Sequence, residues 1–449
     1  MRHIVHNNFF KIIEKIPSNR FFLYTKNRSY TYLDLIRLSD KIENIFPEIK
    51  NHNIAIKSKT REKLALYLPV VTKLAKRIFL LPNDIDASIE NEFCEKASIN
   101  FIIELNDDIV VTKKIEPQID NNVNNYTEIL LATSGTTGTP KIASHNLANL
   151  LSTSQNNVER GSEFCWGLCY DINRFAGLQV YLQALTSGSS IVCSESDDAM
   201  ENCIELFEKY NVNCISATPS YWRKLLMLPH HRSLKLKRIT LGGEISSQFI
   251  LDALKKSFSN AKITHIYAST EAGVGFAVKD GLEGFPLSLL NDNPNHDYSV
   301  KILDDQLWLK SNRVCNKLLS GQLEYDNDGY INTGDQVKID GERVKFLGRS
   351  SGSINIGGNK VMPEKIENIL NSIDIIQMSR AFAKPNPLLG ALVFAEIVLN
   401  DSGKTMSNKE LKNYISNYCK DKLELYEIPV VYKVVERIDT NANGKISRN

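Results

Sequence analysis

The 449-residue sequence lacks a charge excess: 54 basic side chains face 52 acidic ones, a formal net charge of +2. So even a balance creates no broad field for gripping a nucleic acid or an anionic membrane, and any phosphate chemistry has to rest on local sites. The chain also lacks a long uninterrupted apolar run. Its most apolar stretch, Leu64 to Pro82, carries Lys73, Lys76 and Arg77 and is read as unable to enter a bilayer. The opening MRHIVHNNFFKIIEKIP reads as an amphipathic helix broken by charges and not as an export signal. Metal-binding patterns are missing as well. The 8 histidines form no ligand cluster, and Cys165 and Cys169, the close pair among 8 cysteines, have no second pair at zinc-finger spacing. Most cysteines lie in apolar runs such as SSIVCSE, where buried free thiols of a soluble, cytoplasmic protein are expected.

What is present is the composition of a globular protein, 42% hydrophobic and 24% charged, too long for one ordinary core. Between Phe175 and Ser269, helix-like segments (FAGLQVYLQALT, Met200 to Tyr210, SYWRKLLML, SQFILDALKKSF) alternate with strand-like ones (SSIVCSE, VNCISATP, RITLGGE, KITHIYAS). Repeated β/α units predict a mainly parallel sheet flanked by helices, with ligands beyond the carboxyl ends of the strands. The loops LGGE and YASTE fall at such ends. From about residue 292 the texture turns β-rich, with a hairpin predicted at IDGERV turning on Asp340-Gly341. A small-residue linker, SSGS, follows Arg349, and the remainder suits a small α+β domain. The fold class is therefore α/β: an N-terminal domain over 1–348 with a β-rich subdomain at about 292–348, a hinge at 349–352 and a C-terminal domain over 353–449.

The strongest local signal is LLATSGTTGTPKIASH, residues 130–145. Hydroxyls of Thr133, Ser134, Thr136 and Thr137 alternate with Gly135 and Gly138, and Lys141 follows. Glycines bring backbone amides close to a ligand, hydroxyls can wrap phosphate oxygens, and the lysine adds a point charge. This is no Walker loop, because Pro140 precedes the lysine and Ile142 follows it.

TSGTTGTPK resembles the phosphate loop of the adenylate-forming superfamily, which includes acyl-CoA synthetases and carrier-protein ligases. Further landmarks follow in that family's order. Tyr267-Ala268-Ser269-Thr270-Glu271 resembles its Tyr-Gly-x-Thr-Glu turn, with Ala268 in place of glycine. The resemblance implies that Tyr267 stacks on adenine, Thr270 bonds the α-phosphate and Glu271 holds Mg²⁺, roles that suit an aromatic face, a hydroxyl and a hard carboxylate. Gly243 and Glu244 resemble the loop lining the adenine site. Asp335, ending Tyr-Ile-Asn-Thr-Gly-Asp, is expected to accept both ribose hydroxyls, and Arg349, ending Leu-Gly-Arg, to reach the same ribose. Two residues on, Ser351 stands where the family usually has Asp or Lys as hinge. Gly357 and Gly358 resemble the loop bordering the pantetheine tunnel after the small domain has swung. Lys445 in Asn-Gly-Lys matches the lysine that bridges carboxylate and α-phosphate, although Asp439 and Thr440 replace the usual Pro and Arg.

These matches imply a mobile C-terminal lid and an enzyme that uses ATP and Mg²⁺ to turn a small-molecule carboxylic acid into an acyl-AMP. The acyl group then passes to CoA, or to the phosphopantetheine arm of an acyl carrier protein. A catalytically weak nucleotide-binding regulator is the reading from another class. Acyl-pocket candidates are Arg174, Gly177 and Trp222. Arg174 takes the place of a His or aromatic residue, and is expected either to bind a polar part of the acid or to pair with Asp171. Asp171 is also the candidate partner for a substrate ammonium, were the acid an amino acid.

Overall fold

The computed structural model describes residues 9–106, 109–113, 127–133, 141–154, 157–195, 197–290, 296–440 and 444–446. Two mixed sheets with parallel interiors form the larger part. In the first, the strand order is Gly273–Val278, Lys262–Ser269, Arg238–Gly242, Cys214–Ala217, Cys165–Leu168, Ser190–Cys193, Phe21–Tyr24, Ser29–Thr31. The second runs Lys317–Leu318, Ile142–Asn146, Glu128–Ala132, Arg77–Leu80, Asn53–Ser58, Phe101–Leu105, Ile109–Lys113. Only the outer pairings of each sheet are antiparallel; the inner strands are joined by helical crossovers, as β/α alternation dictates.

The expected helices form at Phe175–Ser187, Met200–Lys209, Pro219–Met227 and Gln248–Ser257. Their apolar stripes bury against the sheets. The helix Phe175–Ser187 is buried along nearly its whole length, packed on Cys165–Leu168 and Ser190–Cys193 and against neighbouring helices, and it stops at Gly188, whose φ of 70° suits a helix C-cap. The apolar stretch after Leu64 divides into the helix Arg61–Leu74 and the strand Arg77–Leu80. Among the described residues, no helix is long and apolar enough to cross a membrane.

A third, five-stranded antiparallel sheet orders Phe285–Pro286, Arg343–Arg349, Ile331–Asp340, Gln306–Ser311 and Tyr298–Leu303. It begins ahead of the expected residue 292, and Lys317–Leu318 from its midst joins the second parallel sheet instead. The hairpin predicted at IDGERV forms one residue later than expected: Asp340 pairs with Arg343, and the two-residue turn is Gly341-Glu342. Past Arg349, a separate core gathers Ile354, Ile366, Leu370, Ile397, Leu411 and Ile415 around the strands Ile376–Asn386 and Gly390–Leu399 and the helices Pro363–Leu370 and Asn408–Lys420. Its serine-rich linker is a short 3-10 turn, Ser350–Gly352, in which Ser351 is exposed.

Candidate active site

The carboxyl ends of the first sheet's strands hold the two loops picked out in the sequence. Arg238–Gly242 ends at Gly243-Glu244, and Lys262–Ser269 ends at Thr270-Glu271. The chain reverses at once into Gly273–Val278, and Gly273 makes that possible: at φ 69°, a Cβ there would stand 2.1 Å from the Arg313 carbonyl oxygen. The His145 ring holds this turn from below, its Nε2 2.7 Å from the Thr270 carbonyl oxygen. Since a carbonyl only accepts, Nε2 carries the proton. Burial brings the imidazole pKa down to about 4, so the ring is neutral.

Tyr267 lies in an aromatic group, its ring stacked with Phe276 and with Phe346, each at a centroid distance of 5.2 Å. Its hydroxyl donates to Asp335 Oδ2 at 2.5 Å. Asp335 and Arg349 face each other across adjacent strands, and Arg349 Nε donates to Asp335 Oδ1 at 3.1 Å. The aspartate raises the guanidinium pKa, so the arginine stays charged. Tyr267, Asp335 and Arg349 thus form one bonded corner.

The phosphate-loop residues Ser134, Gly135, Thr136, Thr137 and Gly138 lie outside the described residues. Both ends of that loop are described. Thr133 N–H donates to the Lys141 carbonyl at 2.7 Å, and Lys141 N–H donates to Thr133 Oγ1 at 3.1 Å, closing the neck of the hairpin made by Glu128–Ala132 and Ile142–Asn146. The exposed Lys141 lies along Gly321, where a Cβ would come within 3.2 Å of its Cε.

Lys445 arrives from the far end of the chain and is half-buried in this site. Burial lowers its ammonium pKa and nearby Arg349 adds to the effect, while Glu244, Asp335 and Glu271 oppose it. Gly243, at φ 80°, leaves the room Lys445 needs: a Cβ there would meet Lys445 Cε at 3.2 Å. Glu244, expected to line the adenine site, also binds two backbone amides. Its Oε2 accepts the Ser220 N–H at 2.9 Å and its Oε1 the Ile446 N–H at 3.1 Å.

The acyl-pocket candidates fare differently. Trp222 is a core residue, fully buried, with Nε1 donating to the Thr240 carbonyl at 3.1 Å and an edge contact to Phe258. Gly177 is demanded by packing, since its Cβ would stand 2.0 Å from the Asp171 carbonyl oxygen. Arg174 is buried and pairs through Nη2 with Asp84, not with Asp171. Asp171 instead accepts from Arg61 Nε at 2.6 Å, which also removes it as a ready partner for a substrate ammonium. The pairing was out of reach of helical spacing because Asp84 comes from the loop after Arg77–Leu80, in the other sheet. Gly357 and Gly358 form the exposed turn of the hairpin Ile354–Ile356 and Asn359–Val361, both at positive φ.

Sequence reasoning missed Thr218, Lys224, Asp84, His145 and Gly321. Only Thr218 carried a signal: a threonine before proline at a helix start reads as an N-cap, and Thr218 Oγ1 indeed accepts from Tyr221 N–H at 3.1 Å.

Comparison with known proteins agrees with this geometry. The family model described as AMP-binding enzyme matches residues 83–310. The 2-succinylbenzoate–CoA ligase of Listeria monocytogenes serotype 4b (strain F2365) is 26% identical over 333 residues, covering 71% of this chain and 68% of that one. The anthranilate CoA ligase AuaEII, solved with anthranoyl-AMP, superimposes with a TM-score of 0.77 at 15% identity, covering 98% of this chain and 96% of that one. O-succinylbenzoate coenzyme A synthetase (MenE) from Bacillus subtilis, solved with ATP and magnesium ion, does so with a TM-score of 0.72 at 18% identity, covering 98% of each chain. With half of its length matched by that model and the motifs brought together in space, the chain belongs to the AMP-binding enzyme family of adenylate-forming proteins.

Proposed function

We propose that the protein is an AMP-forming acid–thiol ligase that activates a carboxylic acid with ATP and passes the acyl group to coenzyme A. One observation carries the reading: Lys445, from the last residues, lies half-buried against Gly243, within electrostatic reach of Arg349, Asp335 and Glu271, which come from other parts of the chain. A half-buried cation among carboxylates and a second cation suits a reaction in which an anionic carboxylate must approach a polyanion.

In the first half-reaction, a carboxylate oxygen of the acid attacks the α-phosphorus of ATP. The bond to the bridging oxygen breaks and pyrophosphate leaves. Asp335 and Arg349 hold the ribose, Tyr267 and the Gly243-Glu244 loop border the adenine, and Thr133 and Lys141 flank the triphosphate. Thr270 bonds the α-phosphate, and Lys445 spans the carboxylate and α-phosphate oxygens, offsetting the charge that gathers there. Glu271 supplies the hard oxygen that Mg²⁺ prefers, with the remaining ligands expected from phosphates and water. The ion would neutralise phosphate charge when bound.

In the second half-reaction, the sulfur of the thiol attacks the acyl carbon, the thiol proton is lost to solvent, and AMP leaves with the bonding pair. For that step we propose that the domain after the 349–352 hinge turns about Ser351, withdrawing Lys445 and bringing Gly357 and Gly358 to the thiol's path. A carrier-protein phosphopantetheine is the alternative acceptor, distinguished by direct competition between the two thiols. Eight free cysteines favour a cytoplasmic setting. The pairing of buried Arg174 with the half-exposed Asp84 argues for an acid without a second anionic group at that position.

The test is acid-dependent ATP–pyrophosphate exchange across short, hydroxy, aromatic and amino acids. Exchange with one acid, lost on Lys445→Ala, supports the reading. ATP binding with no exchange for any acid would favour a regulatory member instead.

A further inference from the structure

The helix Pro219–Met227 is the place where the C-terminal segment meets the larger domain. Residues three and four apart on one face, Ser220, Arg223, Lys224 and Met227, meet what crosses it. Lys224 Nζ donates to Thr440 Oγ1 at 3.0 Å. Met227 packs on a small apolar cluster of Met378, Val398, Ile438, Val435 and Ile446. Arg223 lies buried at the centre of the face, within electrostatic reach of Glu244 on one side and of Glu367, from the C-terminal domain, on the other. Just ahead of the helix, Thr218 Oγ1 donates to the Gly444 carbonyl at 2.6 Å.

Glu244 ties this face to the reacting centre. Its two oxygens divide between the Ser220 N–H, in the helix's first turn, and the Ile446 N–H, one residue after Lys445. A carboxylate is well placed at a helix N-terminus, where amides lack intrahelical partners. Charge-assisted bonds of this kind are the stronger ones. Together with the Thr218 bond to Gly444, the backbone is gripped on both sides of Lys445, and Gly243 leaves the space its side chain fills.

We propose that Glu244 is the positioning residue of Lys445, a carboxylate latch that holds the C-terminal segment docked for acyl-adenylate formation and must release it before thioester formation. The inference deepens the reading of Lys445 as the adenylation lysine and rests on it for the catalytic consequence, but not for the docking itself. A two-state latch built from a few hydrogen bonds can bias the equilibrium without locking it.

The experiment uses the full chain in two parts. Without ligands, Lys445 is acetylated with a water-soluble acetyl ester and its rate followed by peptide mass spectrometry against Lys57, which lies in the larger domain. Exchange of pyrophosphate into ATP is then measured with the acid that supports it. Loss of a charge-assisted bond in Glu244→Ala is expected to raise Lys445 acetylation about tenfold and to lower exchange kcat about tenfold, a larger change than any in the KM for ATP. Glu244→Gln, which keeps an acceptor oxygen but no charge, is expected between the two. Lys224→Met removes the outer contact and is expected to raise Lys445 acetylation too, which keeps the idea testable should Glu244→Ala fail to fold. Unchanged acetylation in both Glu244→Gln and Lys224→Met would overturn the latch. Acetylation that shifts as expected in a protein with no exchange for any acid would support the latch and overturn the ligase reading.

Discussion

Two parts of the site bring charge to the same place by opposite means. The corner of Tyr267, Asp335 and Arg349 is built on strands: the aspartate and arginine are register partners, and the tyrosine reaches them from a neighbouring sheet. Backbone pairing on either side fixes these side chains before any ligand arrives. Lys445 lies outside any strand, beside a single bridge between Thr440 and Ile446. Its neighbours hold it through side-chain contacts from Thr218, Glu244 and Lys224 and through one small apolar cluster. The first arrangement suits groups needed in both half-reactions, the second a group needed in only one.

The largest effect expected follows from removing the detachable charge. Lys445→Ala should lower the rate of acid-dependent exchange by roughly 10²- to 10³-fold, the scale of one lost electrostatic contact in a transition state. ATP affinity should change little. An equal loss of ATP affinity would erase the distinction between the two parts, because Lys445 would then belong to the nucleotide site.

Breaking the fixed corner should act on binding instead. Asp335→Ala leaves the Tyr267 hydroxyl and the Arg349 guanidinium without their acceptor, and ATP affinity should fall roughly 10- to 100-fold by equilibrium titration. Lys445 acetylation should stay near its normal rate if the corner and the segment are independent.

A third test sharpens how rigid the turn after Tyr267 is. His145 has its pKa held down to about 4 against an ordinary 6.5. The unfolded chain therefore takes up a proton that the folded one refuses as pH falls from 6.5 towards 4. The stabilisation from the neutral ring is complete above the unfolded value and is lost through that window, roughly 3 kcal/mol in all at about 1.4 kcal/mol per unit. Denaturant unfolding of His145→Gln should accordingly show a flatter dependence between these two pH values than the parent. Parallel curves would remove His145 from the support of Thr270.

The smallest effect concerns Arg174. Asp84 is half-exposed, so Asp84→Asn should cost only about 1 kcal/mol by thermal or denaturant melting. The preference among acids should not change. A changed preference would return Arg174 to the substrate.

The sequence foretold the alternation of elements well because the periodicity of Phe175 to Ser187 or Gln248 to Ser257 is set by which face is buried. It placed Tyr267, Asp335 and Arg349 as separate motifs without revealing that one carboxylate serves both others. It left Trp222 open between pocket wall and core packing, since an aromatic ring near a helix start looks the same from the sequence in either place, and the structure buries it. It anticipated an ion pair for Arg174 but looked only three residues back along the chain, to Asp171.

Taken alone, then, the sequence determined the local chemistry: which loops carry glycines and hydroxyls, which strands end in carboxylates, and that a lysine waits near residue 445. Those are properties of short segments, written in residue type and spacing. Tertiary structure alone decided the partners, Glu244 with Ile446, Arg174 with Asp84 and His145 with Thr270, because each joins elements far apart in the chain. Such contacts form only once burial of the sheets has brought those elements together, and no local pattern encodes the distance that burial removes.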